Sequence, residues 1–327
     1  MTQVRIGILG AARIAPAALI RPARRVADAV AAAVAARDPE RAGKFAAKHG
    51  VPTVHDTYQA LLDDGGLDAV YNPLPNGLHA RWTIAALDAG KHVLCEKPFT
   101  GNTAEAEQVA AAAQRTGLVV MEAFHYRYHP LAERMRAIVR SGELGALRHV
   151  EAWVCFPLPR FSDIRYRYDL GGGALMDAGC YAVHLLRLLG GEEPDVVSAH
   201  AKLRTPDVDR AMTADVRFPA GPTGRLTCSM WSSSLLRVGA RATGDAGELR
   251  VLNPLAPHLF HRLTVRAGGR KRAERLRGRP TYEYQLEAFC AAVLRGEPTL
   301  TPPADSIANM RVIDAVYRSA GMKPRGT

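Results

Sequence analysis

The sequence has no long apolar run, few cysteines and few aromatic residues. Of its 327 residues, five are cysteine and 6% are aromatic. The cysteines lie far apart and never form a Cys-x-x-Cys pair, which excludes the usual zinc and disulfide frameworks. The longest apolar run, residues 29–36, is much shorter than the roughly 18 residues that a membrane span requires. We therefore expect no metal site, no disulfide and no membrane segment, and a cytoplasmic location.

The charge balance raises the question of a nucleic-acid partner, because the formal net charge is +11. Arginines supply most of this charge and are scattered along the chain, with one dense basic cluster at residues 270–279. The cluster has no interleaved aromatic residues, and we interpret it as a solvated loop. We expect no nucleic-acid partner. A nucleic-acid binder would instead show steeply salt-dependent binding to duplex DNA.

Short apolar runs alternate with amphipathic helical stretches over the first 124 residues. The predicted strands are 4–9, 29–37, 51–54, 67–73, 92–95 and 118–121, and the predicted helices are 16–27, 39–49, 57–63, 77–88 and 104–115. Glycine closes most of these helices. The alternation indicates right-handed βαβ units, and therefore an α/β domain over residues 1–124 with helices on both faces of a parallel sheet.

The pattern changes after residue 125. The later predicted strands are 196–203, 211–218, 225–231, 237–243 and 263–265, with an extended stretch at 148–157 and helices at 129–140, 178–189, 282–294 and 304–319. Turns rich in glycine, proline and aspartate separate the strands, which favours a mostly antiparallel sheet. We expect an α+β domain over residues 125–327, with its last helix packing back on the first domain.

A glycine- and alanine-rich turn follows the first predicted strand. Gly10-Ala11-Ala12-Arg13-Ile14-Ala15 matches the dinucleotide fingerprint G-x-G-x-x-G/A, with alanine in place of its second glycine. Small residues let the backbone turn tightly and bring helix N–H groups against a pyrophosphate. The turn therefore predicts a nicotinamide dinucleotide site.

The end of the second predicted strand bears on the choice of cofactor. An acidic residue there holds the 2′-hydroxyl of NAD, whereas an arginine accommodates the 2′-phosphate of NADP. Arg37 and Asp38 are both present, and Arg37 comes first. A guanidinium can pair with a phosphate through two hydrogen bonds and stack on adenine, so we expect NADP, with NAD as the alternative.

The segment 95–98 carries a lysine at the carboxyl edge of the predicted sheet, where open α/β folds bind their ligands. Next to a nicotinamide, the amine of Lys97 can hold or move a substrate proton. The bond from Lys97 to Pro98 is a candidate for the cis form, which would fix the lysine side chain.

A second candidate catalytic segment is 171–184. It begins with three glycines, which admit close backbone approach, and continues into a predicted helix. Spacings of four and three place Asp177, Tyr181 and His184 on one helical face. A carboxylate, a phenol and an imidazole together indicate proton transfer.

The chain resembles the family of glucose-fructose oxidoreductase, inositol dehydrogenase and dimeric dihydrodiol dehydrogenase. The resemblance spans nearly the whole chain and rests on GILGAARIA (7–15), NPLPN (72–76) followed by His79, EKP (96–98), MEAFHYRYHP (121–130), residues 171–181 and ANMRVID (308–314). It implies an N-terminal Rossmann domain and a C-terminal domain with an open, mostly antiparallel sheet, with a substrate pocket between them. It also implies a homodimer, or a dimer of dimers, formed through the outer face of that sheet.

The resemblance also implies roles for individual residues. Lys97 and Tyr181 flank the reacting carbon, and Tyr181, where inositol-type members carry histidine, points to the glucose-fructose oxidoreductase and dihydrodiol dehydrogenase branch. We expect Tyr181 to relay the proton, Lys97 to stabilise alkoxide charge and Asp177 to anchor a hydroxyl. Which of Lys97 and Tyr181 is the primary proton-transfer group stays open.

The predicted reaction is NAD(P)-dependent hydride transfer with a sugar, cyclic polyol or diol. The expected cofactor-binding residues are Gly10, Ala12, Arg13, Ile14, Arg37, Pro73, Asn76, His79, Glu96 and Lys97. The expected substrate-binding residues are Tyr126, Arg127, Trp153 and His184. His125 and His129 form an H-x-x-x-H pattern without an intervening acidic base, so we expect no metal there.

Several substrates are consistent with this prediction, namely an aldose oxidised at C1, a keto-sugar reduced at C3 and a trans-dihydrodiol. An alternative of another class is a non-catalytic dinucleotide sensor or regulator. The presence of Lys97, Asp177 and Tyr181 together argues against the sensor, because such a protein needs no proton-transfer groups.

Overall fold

The structure, a computed structural model, describes residues 3–231 and 236–327. The chain divides into two compact units. The first unit comprises Met1–His125 and Tyr282–Ser306, and the second comprises Tyr126–Thr281 and Ile307–Thr327. Within the described ranges, no helix is long and apolar enough to cross a membrane.

The sheet of the first unit is parallel. Its strands are β1 (Val4–Leu9), β2 (Ala29–Ala35), β3 (Thr53–His55), β4 (Ala69–Asn72), β5 (His92–Cys95) and β6 (Val120–Glu122). They lie in the order β3-β2-β1-β4-β5-β6. The chain order reverses between β1 and β4, and in such sheets ligands bind beyond the carboxyl ends of the strands at that point.

The second unit contains a larger, mostly antiparallel sheet. Its strands are β7 (Leu147–Cys155), β8 (Asp195–Thr205), β9 (Val208–Arg217), β10 (Thr223–Ser229), β11 (Arg237–Gly244), β12 (Gly247–Leu252), β13 (Arg262–Ala267) and β14 (Arg270–Glu274). They lie in the order β14-β13-β12-β11-β7-β10-β9-β8, and β7 and β10 are a parallel pair. The two sheets with their helices confirm the predicted α/β class.

The helices of the chain are α1 (Arg21–Ala23), α2 (Pro39–His49), α3 (Tyr58–Leu62), α4 (His79–Asp88), α5 (Thr103–Thr116), α6 (Pro130–Arg140), α7 (Cys180–Gly190), α8 (Thr281–Arg295) and α9 (Pro303–Ser319). Local sequence explains where several of them begin and end. The Asn102 side chain accepts the backbone N–H of Glu105 at the start of α5, and Gly117 ends that helix in a left-handed conformation.

Two local predictions were wrong. The helix predicted at 16–27 is a π-helical turn, Pro16–Ile20, followed by the short α1, because Pro22 has no N–H to continue a regular ladder. The basic cluster predicted as a loop begins with β14, an edge strand paired with β13. Ion pairs of Arg272 with Glu143, at 2.6 Å, and with Glu274, at 2.8 Å, offset the positive charge of this strand.

The two faces of the second sheet differ in chemistry. Val150, which is fully buried, is paired with Gly224, and a Cβ at Gly224 would meet the ring of Phe218, which packs on Gly190 of α7. The α7 side of the sheet is therefore apolar. The opposite face carries ion pairs, in which Arg225 contacts Asp215 at 2.6 Å and Arg241 contacts Glu151 at 2.7 Å.

Candidate active site

The turn after β1 has the geometry that the dinucleotide fingerprint requires. Gly10 has a φ of +92°, which favours glycine, and its N–H donates to the carbonyl of Ala35 at the end of β2, at 2.7 Å. A Cβ at Gly10 would lie 3.1 Å from Leu74 Cδ2. Arg13 and Ile14 are exposed on the turn, which continues through Ala12 into the π-helical segment. The turn therefore fits a pyrophosphate that approaches its backbone.

Two arginines lie near this turn, Arg37 just after β2 and Arg41 in the first turn of α2. Asp38 is the N-cap of α2, and its carboxylate accepts the N–H groups of Glu40 and Arg41. Arg37 is exposed, and the Arg41 guanidinium donates to the carbonyl of Ala11 at 2.8 Å. The sequence reasoning missed Arg41, although its place in the first turn of α2 was visible. The acidic residue is thus occupied with a helix cap, and the site is basic.

Tyr58 connects these arginines to the glycine turn. Its hydroxyl is hydrogen-bonded to the backbone of Arg37, and a Cβ at Gly10 would lie 3.6 Å from its oxygen. Burial raises the pKa of Tyr58, and the positive charges of Arg37 and Arg41 oppose that rise. Sequence reasoning did not identify Tyr58. Its ring packs edge-on against Trp82, with centroids 4.9 Å apart.

The ends of β4 and β5 hold Lys97 in place. The N–H of Glu96 donates to the carbonyl of Asn72 at 3.0 Å, and the buried carboxylate of Glu96 accepts the hydroxyl of Tyr71 at 2.7 Å and the N–H of Lys97 at 3.3 Å. The Lys97–Pro98 peptide bond is cis, as the sequence suggested. Glu96 is thus bonded to the backbone of its own unit and to Tyr71, and these bonds fix the turn that carries Lys97.

His79 joins the β4 and β5 turns. Its imidazole is fully buried, with Nδ1 2.8 Å from the carbonyl oxygen of Pro98 and Nε2 2.7 Å from that of Leu74. Burial lowers the pKa of His79 to about 4, against the two carbonyls, which favour the protonated form. These contacts support a role for His79 in shaping the turns. Of the remaining predicted cofactor residues, Pro73 directly follows β4 and Asn76 opens a 3₁₀ turn before α4.

In the second unit, Asp177 and Tyr181 lie on consecutive helical segments. Asp177 is in a π-helical turn, Leu175–Gly179, and Tyr181 is in the first turn of α7. The prediction of one α-helix at 178–189 therefore starts too late and misses the wider turn. Glycine at position 179 lets this turn pack closely against the sheet, because a Cβ there would lie only 2.9 Å from Sγ of Cys228 on β10.

Tyr181 lies in a polar aromatic cluster with two other predicted residues. The ring centroids of Tyr126 and Tyr181 are 6.1 Å apart, and those of Tyr126 and His184 are 5.5 Å apart with the rings perpendicular. The hydroxyl of Tyr126 is hydrogen-bonded to Nδ1 of His184 at 2.5 Å. The structure therefore brings Tyr126, Tyr181 and His184 together, and His184 is buried behind Tyr126.

Arg165 is a site residue that the sequence reasoning missed. Its Nε lies 3.0 Å from Oδ2 of Asp177, and its Nη1 lies 3.2 Å from Oδ1 of Asp163. The negative charge of Asp177 raises the pKa of Arg165. No pattern in the sequence connects Arg165 with Asp177, because a loop of irregular structure separates them. Asp177 therefore presents its carboxylate already paired with a guanidinium.

Two predicted substrate residues lie elsewhere in the second unit. Trp153 alternates with Val150, Ala152 and Val154 along β7, so its indole lies on the sheet face opposite α7, under the guanidinium of Arg237. The structure does not bring Trp153 together with Tyr181. Arg127 is buried, and its Nη1 lies 3.8 Å from Oε2 of Glu133 on α6.

The H-x-x-x-H pattern and the cysteines have other contacts. His125 stacks on Tyr282, with centroids 4.1 Å apart, and Nδ1 of His129 accepts the N–H of Leu131 at the start of α6. Among residues 3–231 and 236–327, no group of three histidine, cysteine or acidic side chains is arranged to hold a metal ion. All five cysteines are buried free thiols.

The fold and its edge residues define a nicotinamide-dependent oxidoreductase with a Rossmann sheet. Residues 4–124 match the family model of an oxidoreductase family with an NAD-binding Rossmann fold, and residues 132–250 match a GFO/IDH/MocA C-terminal domain. The chain belongs to the GFO/IDH/MocA oxidoreductase family, which confirms the resemblance seen in the sequence.

Individual relatives match over nearly their whole length. A D-xylose 1-dehydrogenase (NADP⁺) of Haloferax volcanii is 40% identical over 96% of both chains. A 3-ketoreductase from Actinomadura kijaniata, solved with NADP and TDP-benzene, is 31% identical, with a TM-score of 0.91 over 97% of this chain and 98% of that one. An aldose-aldose oxidoreductase from Caulobacter crescentus, solved with glycerol, is 26% identical, with a TM-score of 0.89 over 98% of both chains.

The buried imidazole of His79 predicts a loss of stability in mild acid. Because its pKa in the folded chain lies below the value of 6.5 that it has when unfolded, its stabilising contribution is complete above pH 6.5 and is lost as pH falls toward 4. At pH 5 this loss is about 2 kcal/mol by proton linkage. We expect His79→Gln to lose less unfolding free energy than the parent between pH 7 and pH 5, measured by urea denaturation.

The matched control for this measurement is His200→Gln, at an exposed position of β8, which should keep the parent's pH dependence. An unchanged pH dependence in His79→Gln would contradict this prediction, because it would show that folding does not shift the pKa of His79.

Proposed function

We propose that this chain catalyses the NADP-dependent oxidation of an aldose at its C1 hydroxyl, with Lys97 and Tyr181 acting on the reacting oxygen. The observations that carry the proposal are a lysine fixed at the carboxyl end of β5 in the first unit and a tyrosine at the start of α7 in the second unit. Each lies in a polar setting within its own unit. A non-catalytic sensor has no need of either group.

The first unit fits NADP better than NAD. Arg37 and Arg41 are available for the 2′-phosphate, whereas Asp38, which could otherwise accept a ribose hydroxyl, is bonded to the backbone of α2. Gly10, Ala12, Arg13 and Ile14 are proposed to bind the pyrophosphate through backbone N–H groups, with Pro73 and Asn76 on the neighbouring turn.

The oxidation removes a hydride from the substrate carbon and one proton from its hydroxyl, and the protein receives that proton. When bound, NADP accepts the hydride from the substrate carbon. Tyr181 relays the proton of the C1 hydroxyl, accepting it as the phenol releases its own proton to solvent, while the ammonium group of Lys97 donates a hydrogen bond to the same oxygen. That bond stabilises the negative charge that develops on the oxygen as the C–H bond breaks. The product is the corresponding lactone, and Asp177 accepts a hydrogen bond from a neighbouring hydroxyl.

Variants of the ketoreductase relative support the choice of these two residues. Solved structures of that enzyme include one with a tyrosine replaced by phenylalanine and others with a lysine replaced by alanine or glutamate. The replaced lysine and tyrosine are separated along that chain by the same distance as Lys97 and Tyr181 along this one.

The aldose is favoured over a keto-sugar by the whole-chain similarity to the xylose dehydrogenase, which is 40% identical. The dTDP-sugar 3-reductases are 34% identical over nearly the whole chain, or 37% and 42% identical over 80% and 57% of it. A trans-dihydrodiol dehydrogenase is 34% identical over 68% of this chain. Reduction of a 3-keto-sugar is therefore the second candidate, and it would use the same two residues in the reverse direction.

Activity assays on aldopentoses, aldohexoses, cyclic polyols and a trans-dihydrodiol test this proposal. We expect the nicotinamide absorbance to report turnover with NADP on at least one aldopentose or aldohexose. Tyr181→Phe and Lys97→Met should each lower kcat by about a hundredfold or more, since the first removes the group that relays the proton and the second the ammonium that stabilises the charge on the oxygen.

The controls for the catalytic variants are Tyr284→Phe on α8 and Lys44→Met on α2, which change residue types alike outside the proposed site. Full turnover by Tyr181→Phe would contradict the assignment of that tyrosine. Tight NADP binding without turnover of any substrate in the panel would favour the sensor.

The preference for NADP should depend on Arg37. A paired guanidinium–phosphate contact contributes roughly 1.5–3 kcal/mol, so we expect Arg37→Ser to raise the Kd for NADP by about 10- to 100-fold and to leave the Kd for NAD nearly unchanged. Cofactor fluorescence titration measures both constants. Arg115→Ser, at an exposed position on α5, is the control, and an unchanged preference in Arg37→Ser would contradict this role.

We also propose that the face of the second sheet opposite α7 forms a homodimer, with charged pairs such as Arg225–Asp215 at the contact. Reversing one charge there places like charges together, so Arg225→Glu should shift the chain toward monomer. Light scattering coupled to size exclusion measures the mass. A parent protein that is monomeric at micromolar concentration would contradict the proposal.

A further inference from the structure

Arg325, near the carboxyl end of the chain, is buried although it is charged. Its side chain is 1% exposed, and that of its ion-pair partner Asp209 on β9 is fully buried. The guanidinium Nη2 lies 2.9 Å from Oδ1 of Asp209, and its plane lies over the ring of Tyr317, with 4.1 Å from Cζ to the centroid. Charged side chains are almost never fully buried unless they are paired, so the burial of Arg325 calls for a structural explanation.

Both side chains of the ion pair are hydrogen-bonded to the backbone of the glycine-rich segment, residues 171–175. Nε of Arg325 donates to the carbonyl of Gly172 at 2.7 Å, and Oδ2 of Asp209 accepts the N–H of Leu175 at 2.7 Å. The hydroxyl of Tyr317 donates to Oδ1 of Asp209 at 3.0 Å. The pair therefore holds the chain at two points, Gly172 and Leu175, the second of which is the first residue of the π-helical turn.

Glycine is needed at position 173 because of the ion pair, and at position 172 because of the preceding loop. Gly173 has a φ of +141°, and a Cβ there would collide with the carboxylate of Asp209, the hydroxyl of Tyr317 and the guanidinium of Arg325. A Cβ at Gly172 would collide with backbone atoms of the preceding loop. The close approach expected at these glycines is thus made by the protein's own atoms, side chains at Gly173 and backbone at Gly172.

The glycine-rich segment is hydrogen-bonded to residues next to the proposed catalytic groups. The N–H of Asp177 donates to the carbonyl of Gly173 at 3.0 Å, and the N–H of Gly173 donates to the carbonyl of Arg165 at 2.9 Å. Arg165 is the residue whose side chain pairs with Asp177. A shift of Gly173 would therefore move the carboxylate of Asp177, its partner Arg165 and the start of the helix that carries Tyr181.

We propose that Arg325, acting with Asp209, is a positioning residue that fixes Asp177 and Tyr181 in their catalytic orientation. The proposal rests on the proposed roles of those two residues. Arg325 and Asp209 act through the backbone from Gly172 to Leu175, to which their side chains are hydrogen-bonded. A displacement of a catalytic group by about 1 Å can cost roughly a hundredfold in rate, so the tail of the chain controls turnover.

Arginine is required at this position because of its geometry. Its planar guanidinium donates to Gly172 and to Asp209 in different directions and stacks on Tyr317. The single ammonium group of lysine cannot make these contacts together. Arg325→Lys keeps the positive charge but cannot keep the hydrogen bonds to both Gly172 and Asp209. Arg325→Ala leaves a space that a small guanidinium compound can enter.

The test compares Arg325→Ala and Arg325→Lys with Lys323→Ala, an exposed residue of the same tail. We expect kcat to fall about 10- to 100-fold in both arginine variants, with the Kd for NADP unchanged because the cofactor binds the first unit. Ethylguanidinium should restore part of kcat to Arg325→Ala and leave the other variants unaffected. Lys323→Ala should match the parent.

A double-variant cycle with Tyr181→Phe separates this proposal from the proposed function. If Arg325 acts through Tyr181 and its helix, the losses in log kcat are less than additive in Tyr181→Phe/Arg325→Ala. Additive losses, or a kcat at the parent level in a folded Arg325→Ala, would overturn the positioning role. Full turnover by Tyr181→Phe alone would instead overturn the proposed role of that tyrosine.

If Arg325→Ala does not fold, the milder Arg325→Lys decides the matter, with circular dichroism as the check on its fold. A folded Arg325→Lys with parental kcat overturns the proposal, and one with a reduced kcat and an unchanged Kd for NADP supports it.

Discussion

The parallel pairing of β1 with β2 and with β4 is the constraint on which the cofactor unit depends. Parallel strands place all their carboxyl ends on one edge of a sheet, so residues far apart in sequence follow one another along that edge. The Gly10 turn, Arg37 and Lys97 come after β1, β2 and β5 in this way. The hydrogen bond from Gly10 to Ala35 fixes the first turn against the end of β2, and the His79 ring joins the turns after β4 and β5.

In the second unit the candidate catalytic residues lie on helical segments, and the first backbone N–H groups of those segments need hydrogen-bond acceptors from elsewhere in the chain. A helix start leaves backbone N–H groups without intrahelical partners. Here Asp209 accepts one of them from Leu175, and the burial of that carboxylate is compensated by Arg325 and Tyr317. A buried charge is stable only when it is paired and hydrogen-bonded. The same contacts that satisfy Asp209 therefore determine where the following turn of helix lies.

Much of the fold and of the first half of the site could be predicted from local patterns. Strand–helix alternation predicted the parallel sheet, and the segment 95–98 predicted a lysine at its edge, because both depend on residues close together in sequence. What could not be predicted depends on contacts between distant residues. Arg325 and Asp209, the salt bridge from Arg165 to Asp177, and the face of the sheet on which Trp153 lies follow from tertiary packing and register. The basic residues of β14 suggested a solvated loop rather than an edge strand. Their charge is balanced by ion pairs such as Arg272–Glu143, which the local sequence does not reveal.

The central claim is that a sugar carbon gives its hydrogen directly to NADP as a hydride. The most direct measurement uses an aldose that the enzyme oxidises, deuterated at C1, with NMR of the reduced cofactor. The account predicts that the deuterium is found at C4 of the nicotinamide ring and that kcat/KM falls relative to the unlabelled sugar. Loss of the deuterium to water, or a reduced cofactor that carries none, would contradict it.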